Sequence, residues 1–235
     1  MSIRILSFDT ATDACSAALK INKDILIKRF TLSPRQHTKH ILSMVNSLLT
    51  EAGIKLNNLN ALAFSRGPGN FTGMRIGISV AKGLAMGADL PLIGISTLAT
   101  LAEGAWRQTG ACQVLVAMNT YINDKVYWAS YQRQENTWIE KENESIVPWK
   151  KTVESLRERL TGCWATAGTA WQSYSNLFYC KKLNQSFNKC TLISGKSLFP
   201  NAIDMLPLAI SDYRHGKIKT AWCAELSYLF QQEIT

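Results

Sequence analysis

The sequence predicts an α/β fold, and two patterns carry that prediction. Three strand-like runs follow one another at the start of the chain, and strands then alternate with helices. In the first pattern, Ile3–Phe8 is a short apolar run ending at Asp9-Thr10. Cys15–Leu19 and Ile25–Phe30 follow, separated by the polar Asn22-Lys23-Asp24 cluster, which is the signature of a hairpin. In the second, Ser33-Pro34 offers an N-cap and a first helical position, Ile41, Met44, Val45, Leu48 and Leu49 recur at helical spacing, and Gly53 is a natural stop. Leu59–Phe64 reads as a buried strand, Met74–Ala88 as a helix, Pro91–Gly94 as a strand, and Ser96 or Thr97 as the cap of a helix running to Arg107. This order is that of a ribonuclease-H-like lobe, the unit that actin-like folds use twice.

The second half is less sharply patterned. Val114–Met118, Val126–Tyr131 and Trp164–Ala167 read as strands. Thr152–Leu160, Ala202–Ser211 and Thr220–Gln232 read as helices. The predicted division is 1–110 for an N-terminal lobe and 111–235 for a C-terminal one, with the last helix free to pack back on the first lobe. No internal sequence repeat and no low-complexity tract is visible.

Composition excludes several classes. At 235 residues, with 46% hydrophobic and 18% charged residues, the chain has the makeup of a globular protein and not of a disordered or fibrous one. No uncharged apolar run reaches the roughly 18–20 residues that a membrane helix needs. Met1 to Asp9 meets an acid too early for a signal peptide, so the expected location is the cytoplasm. Cys15, Cys112, Cys163, Cys180, Cys190 and Cys223 form no CxxC pair and read as isolated thiols. A net charge of +9 invites a polyanion such as RNA, yet charge alone speaks to encounter and solubility.

Four features carry possible chemistry. Asp9-Thr10-Ala11-Thr12 sits where an actin-like ATPase holds an acid and a glycine-bearing hairpin; the acid is present and the glycine is not. The second acid of such a site falls at Asn119, and an amide does not replace a carboxylate as ligand or base. The Gly67-Pro68-Gly69-Asn70-Phe71-Thr72-Gly73 loop lacks the Gly-Lys-Ser/Thr of a Walker loop. It either meets a phosphate at a helix N-terminus, flanked by Arg66 and Arg75, or is a tight strand–helix turn. The helix after it carries Gly73, Gly77, Ala81 and Ala85 four residues apart, a ridge of small side chains. Glycine inside a helix costs about 1 kcal/mol, which close packing by the protein's own sheet or by a partner helix would offset. His37 and His40 lack the spacing of a zinc-binding His-Glu-x-x-His motif and read as surface or cap residues.

Taken together, Ile5-Leu6-Ser7-Phe8-Asp9-Thr10-Ala11-Thr12, Pro34-Arg35-Gln36-His37 and Gly67-Pro68-Gly69-Asn70-Phe71-Thr72-Gly73-Met74-Arg75-Ile76-Gly77 resemble the TsaB (YeaZ) family. Gly94–Leu98, Val126–Ala129 and Phe199–Ala202 extend the resemblance to about residue 210. The chain departs from the family at Asn119, often Asp there. It departs again at Leu226-Ser227-Tyr228-Leu229-Phe230, where the family has Pro-x-Tyr-Leu-Arg. The resemblance implies two ribonuclease-H-like lobes of the actin/Hsp70/sugar-kinase type. It implies a non-catalytic subunit that binds the paralogue TsaD, with the ATPase TsaE joining the pair. Together these make threonylcarbamoyladenosine beside the anticodon of tRNAs reading codons that begin with A. No cofactor or metal is implied, and tRNA is met only through the complex. The first two helices would dock on TsaD through His37, Ile41, Met44, Val45, Gly73, Met74, Gly77, Val80, Ala81 and Leu84. A homodimer through the same face is expected when TsaD is absent. The alternatives are an actin-like ATPase and a direct tRNA binder.

Overall fold

The computed structural model describes residues 3–22, 25–135, 137–173 and 190–229. It divides into two compact units, Met1–Thr100 with Phe199–Tyr228, and Leu101–Leu198 with Leu229–Thr235. Against the predicted halves, the first unit ends at Thr100 instead of 110 and takes back residues 199–228.

The first unit is built on strands β1 (Arg4–Asp9), β2 (Ala14–Ile21), β3 (Ile25–Leu32), β4 (Ala61–Gly67) and β5 (Leu92–Ser96), in the sheet order β3-β2-β1-β4-β5. The first three are antiparallel neighbours; β4 and β5 join in parallel. Helices α1 (His37–Glu51) and α2 (Phe71–Ala88) are the crossovers that parallel strands require. Alternation along the strands divides the sheet into two faces. Leu6, Phe8, Leu19, Leu62 and Phe64 form one core with Ile41, Val45, Leu48, Ala81 and Ala85 of the two helices. Ile5, Ala18, Ala61, Ala63 and Ile93 form a second core with a later helix, α6 (Ala202–Arg214). The alanines on that face let α6 approach closely. Its first residue is tied to the sheet by two buried hydroxyls: Ser7 Oγ donates to the Ala202 carbonyl at 2.8 Å, and the Ala202 amide donates to Ser16 Oγ at 2.9 Å.

Helix α3 (Thr97–Thr109) carries the chain into the second unit. There β6 (Gln113–Asn119), β7 (Lys125–Gln134), β8 (Thr137–Pro148), β9 (Gly162–Ala167) and β10 (Cys190–Ser194) form a sheet in the order β10-β9-β6-β7-β8. This is the order of the first sheet: a three-strand antiparallel meander, then two parallel strands beside its first strand. The two ribonuclease-H-like lobes of an actin-like fold are thus present, repeated in topology without a repeat in sequence. Helix α4 (Trp149–Arg159) fills the place of α1, packing Trp149, Val153 and Leu156 on Leu115, Ala117 and Trp128. The short α5 (Ala170–Ser173) adds Trp171, whose ring stands edge-on to Trp149 at 5.1 Å. Glu103 of α3 is buried and accepts from Arg133 at 2.5 Å and from Trp138 Nε1 at 2.7 Å, while the Arg133 guanidinium lies over the Trp106 ring.

Several elements differ from expectation. Helix α1 begins at His37 with Gln36 as N-cap, so Ser33-Pro34 is a turn outside it. Strands β8 and β10 were not legible, because their exposed residues break the alternation. Within the predicted helix Thr220–Gln232, residues 220–229 form a turn and irregular chain, and 230–232 lie outside the described residues. The apolar spacing there reflects Ala221, Ala224 and Leu226 packing onto the first core from an irregular segment. Cys15 is buried, Cys190 half-buried and Cys112, Cys163 and Cys223 exposed; Cys180 lies outside the described residues. No helix among the described residues is long and apolar enough to cross a membrane.

Candidate functional site

The end of β1 is closed by the chain itself. The Gly-rich loop leaves β4 through a cis Gly67–Pro68 peptide and packs on residues 10–11. The Asn70 amide donates to the Ala11 carbonyl at 2.6 Å, and a Cβ on Gly69 or Gly73 would overlap the Ala11 or Thr10 carbonyl. Asn70 then caps α2, its side-chain oxygen accepting from the Thr72 and Gly73 amides. The Asn70, Thr72 and Gly73 amides, which would otherwise greet a phosphate, are therefore engaged within the loop and its cap. Of the two readings of this loop, the tight strand–helix turn is the one its geometry supports.

Asp9 lies behind that turn, fully buried. The Ala11 amide donates to its Oδ1 at 3.1 Å, and Ser65 Oγ donates to its Oδ2. Burial pushes its pKa up to about 7, with the two hydrogen bonds pulling the other way. Burial, with Asp9 nearby, likewise pushes the Cys15 thiol up to about 12, so this cysteine is not a nucleophile. In the second unit, the equivalent strand end presents Asn119, exposed, its amide side chain donating to Ser173 Oγ at 2.8 Å. His37 corrects the surface reading: it is buried, with Nε2 2.7 Å from the Thr12 carbonyl, and helps hold the strand-end turn. His40 is half-buried. Among the described residues no group of three or more His, Cys, Asp or Glu could hold a metal ion.

The expected docking residues lie largely inside the first unit. His37, Ile41, Val45, Gly73, Met74, Gly77 and Ala81 are buried inside the first unit, and Met44, Val80 and Leu84 are half-buried against its core. The ridge at 73, 77, 81 and 85 faces the protein's own strand end: a Cβ on Gly77 would stand 2.6 Å from Thr10 Oγ1. Its small residues are explained by that close approach.

A second ridge at the same spacing escaped the sequence reading. Ser79, Gly83 and Gly87 lie four apart on the opposite side of α2 and are exposed. A Cβ on Gly83 or Gly87 would meet nothing within 4 Å. Arg75 and Met86 share this outer side, with Ile76, Val80 and Leu84 half-exposed beside it. At the start of α2, Arg75 lies 3.6 Å over the Phe71 ring and its Nε donates to Tyr228 OH at 3.3 Å. No acid occurs anywhere in α2.

Comparison with known proteins places this architecture. The chain is 46% identical to the tRNA threonylcarbamoyladenosine biosynthesis protein TsaB of Escherichia coli, over 97% of this chain and 94% of the relative. The chain belongs to the TsaB family. The TsaB of Haemophilus influenzae is 34% identical over 100% of this chain and 96% of its own. The solved structure of YeaZ from Pseudomonas aeruginosa superposes with a TM-score of 0.80 at 33% identity, covering 97% of this chain and all of that one. A family model described as TsaD, tRNA N6-adenosine threonylcarbamoyltransferase, matches residues 30–190. A TsaB-family chain thus shares sequence pattern with the family named for the transferase itself.

Proposed function

We propose that this chain is the non-catalytic partner subunit of a TsaD-type threonylcarbamoyltransferase. The whole-length likeness to relatives named TsaB carries the reading. In this reading the chain takes part in making threonylcarbamoyladenosine next to the anticodon of tRNAs that read codons beginning with A. The work is done in the cytoplasm, with TsaE joining the pair and tRNA met through the complex. The closed end of β1 and the amide at Asn119 support the absence of catalysis by this chain: the strand ends that would organise a nucleotide carry a walled-in acid and no second carboxylate.

The docking face is then the outer side of α2, with Leu42 and the other exposed positions of α1 as further candidates, and not the buried residues that the resemblance suggested. Glycines at exposed helix positions cost about 1 kcal/mol each and return nothing within this chain. A partner backbone brought close over Gly83 and Gly87 would give that return. Size-exclusion chromatography with light scattering, on this chain mixed with TsaD, tests the reading. The expected result is a stable complex with the native chain and none with Gly83→Arg, whose circular dichroism stays native. Without TsaD the native chain should form a homodimer that Gly83→Arg also loses. A native chain that stays separate from TsaD overturns the proposal.

A further inference from the structure

At the C-terminal end of α2 the first unit carries a groove of about 540 Å³. Its floor is Ala85, Leu90 and Ala221, all buried. Met86 and Ile218 rise from its walls, both exposed. Trp222 lines it 78% exposed, the most open large apolar side chain among the described residues, and no ring or hydrogen-bond contact among those residues holds it. Large apolar side chains gathered around one concavity are unusual on a chain that stays alone. Trp222 sits where the chain is anchored: Lys219 and Leu92 exchange both backbone hydrogen bonds at 2.8 Å, so the segment carrying the tryptophan is held to the sheet edge. A tryptophan over a pre-formed apolar hollow is the usual form of a binding hot spot.

The groove also has a charge. Asp89 lines it and ends α2 in a left-handed conformation, so its carboxylate adds to the negative end of the helix. Lys219 also lines the groove but pairs with Glu225 at 3.8 Å, whereas Asp89 makes no ion pair among the described residues. The result is a local acidic point on a chain of net charge +9.

We infer that this groove takes a segment of the partner protein that places an apolar side chain beside Trp222 and Met86, with a Lys or Arg about one helical turn away against Asp89. Two observations choose this occupant. Met86 belongs both to the groove wall and to the exposed side of α2, so the hollow continues the docking face proposed above. The carboxylate at a helix C-terminus selects a cation and disfavours a nucleic acid or an acidic peptide. The inference rests on the partner-subunit reading and deepens it.

The test is the affinity of the full chain for TsaD, measured by biolayer interferometry for native protein, Trp222→Ala, Asp89→Asn and Gly83→Arg. Asparagine accepts the left-handed conformation at position 89, so that variant changes charge alone. Trp222→Ala should weaken binding about 30-fold or more. Asp89→Asn should weaken it about threefold and flatten its salt dependence. The Trp222→Ala melt should match the native chain, because that side chain lies outside the core, and Asp89→Asn should melt no lower, because a carboxylate opposes the helix dipole there. If Trp222→Ala binds like the native chain while Gly83→Arg does not, the groove inference fails and the docking reading stands. If neither variant changes binding, the α2 face fails with it. Loss of binding in Trp222→Ala alone supports the groove and moves the interface centre from Gly83 to this end of the helix.

Discussion

Asp9→Asn should make the chain more stable at neutral pH, by a margin that shrinks as the pH falls towards 5. Asp9 is fully buried, and desolvation raises its pKa from 3.8 to about 7. The folded state therefore holds a proton that the unfolded state has already released between those two values. Stability falls as pH rises through that window and levels off above it. At 1.36 kcal/mol per unit, the roughly three-unit difference costs about 4 kcal/mol at pH 8, of which about 2 is already lost at pH 5. The asparagine is nearly isosteric and keeps both hydrogen bonds if the Ser65 hydroxyl turns to accept. Urea unfolding of both proteins across pH 5 to 8.5 isolates the effect, since every other titrating group cancels in the difference. The gap between variant and native chain should widen by about 2–3 kcal/mol from pH 5 to pH 8. A gap that stays flat, or closes as pH rises, would refute the assignment of a protonated acid behind the turn.

The two glycine ridges of α2 should respond in opposite directions. Gly77→Ala places its methyl 2.6 Å from Thr10 Oγ1 and should destabilise the chain by about 1–3 kcal/mol in urea melts. Gly83→Ala meets nothing and should stabilise it by up to about 1 kcal/mol. In the second unit, Glu103→Ala leaves the Arg133 guanidinium buried without its counter-charge and should cost about 3–5 kcal/mol. Adding Arg133→Met to that variant should recover most of the loss, a double-mutant cycle read by the same melts.

The first lobe was legible almost strand by strand. Its apolar runs are short, nearly continuous in the buried central strands, and end at Asp, Asn, Gly or Pro, so local chemistry and burial point the same way at each element. The second lobe was legible only in β6, β7, β9 and helix α4. Strand β8 carries acids at Glu140, Glu142 and Glu144 because its edge position leaves those side chains to solvent or to partners such as Trp128, Tyr131 and Arg159. The repeat of sheet order was invisible for a similar reason: topology constrains which positions are buried, not which residues fill them.

From residue types and their spacing alone came the lobe order of the first half, the acid at the end of β1 and the missing acid at Asn119, while the resemblance of its motifs pointed to the family. Tertiary structure alone decided which way α2 faces. Residues 73, 77, 81 and 85 and residues 79, 83 and 87 are both small-residue rows at helical spacing, and a period is the same whichever side of the helix it marks. The difference is what stands opposite each row: Thr10 against Gly77, and open space beyond Gly83. That distinction rests on contacts between residues more than sixty positions apart, which no local pattern encodes.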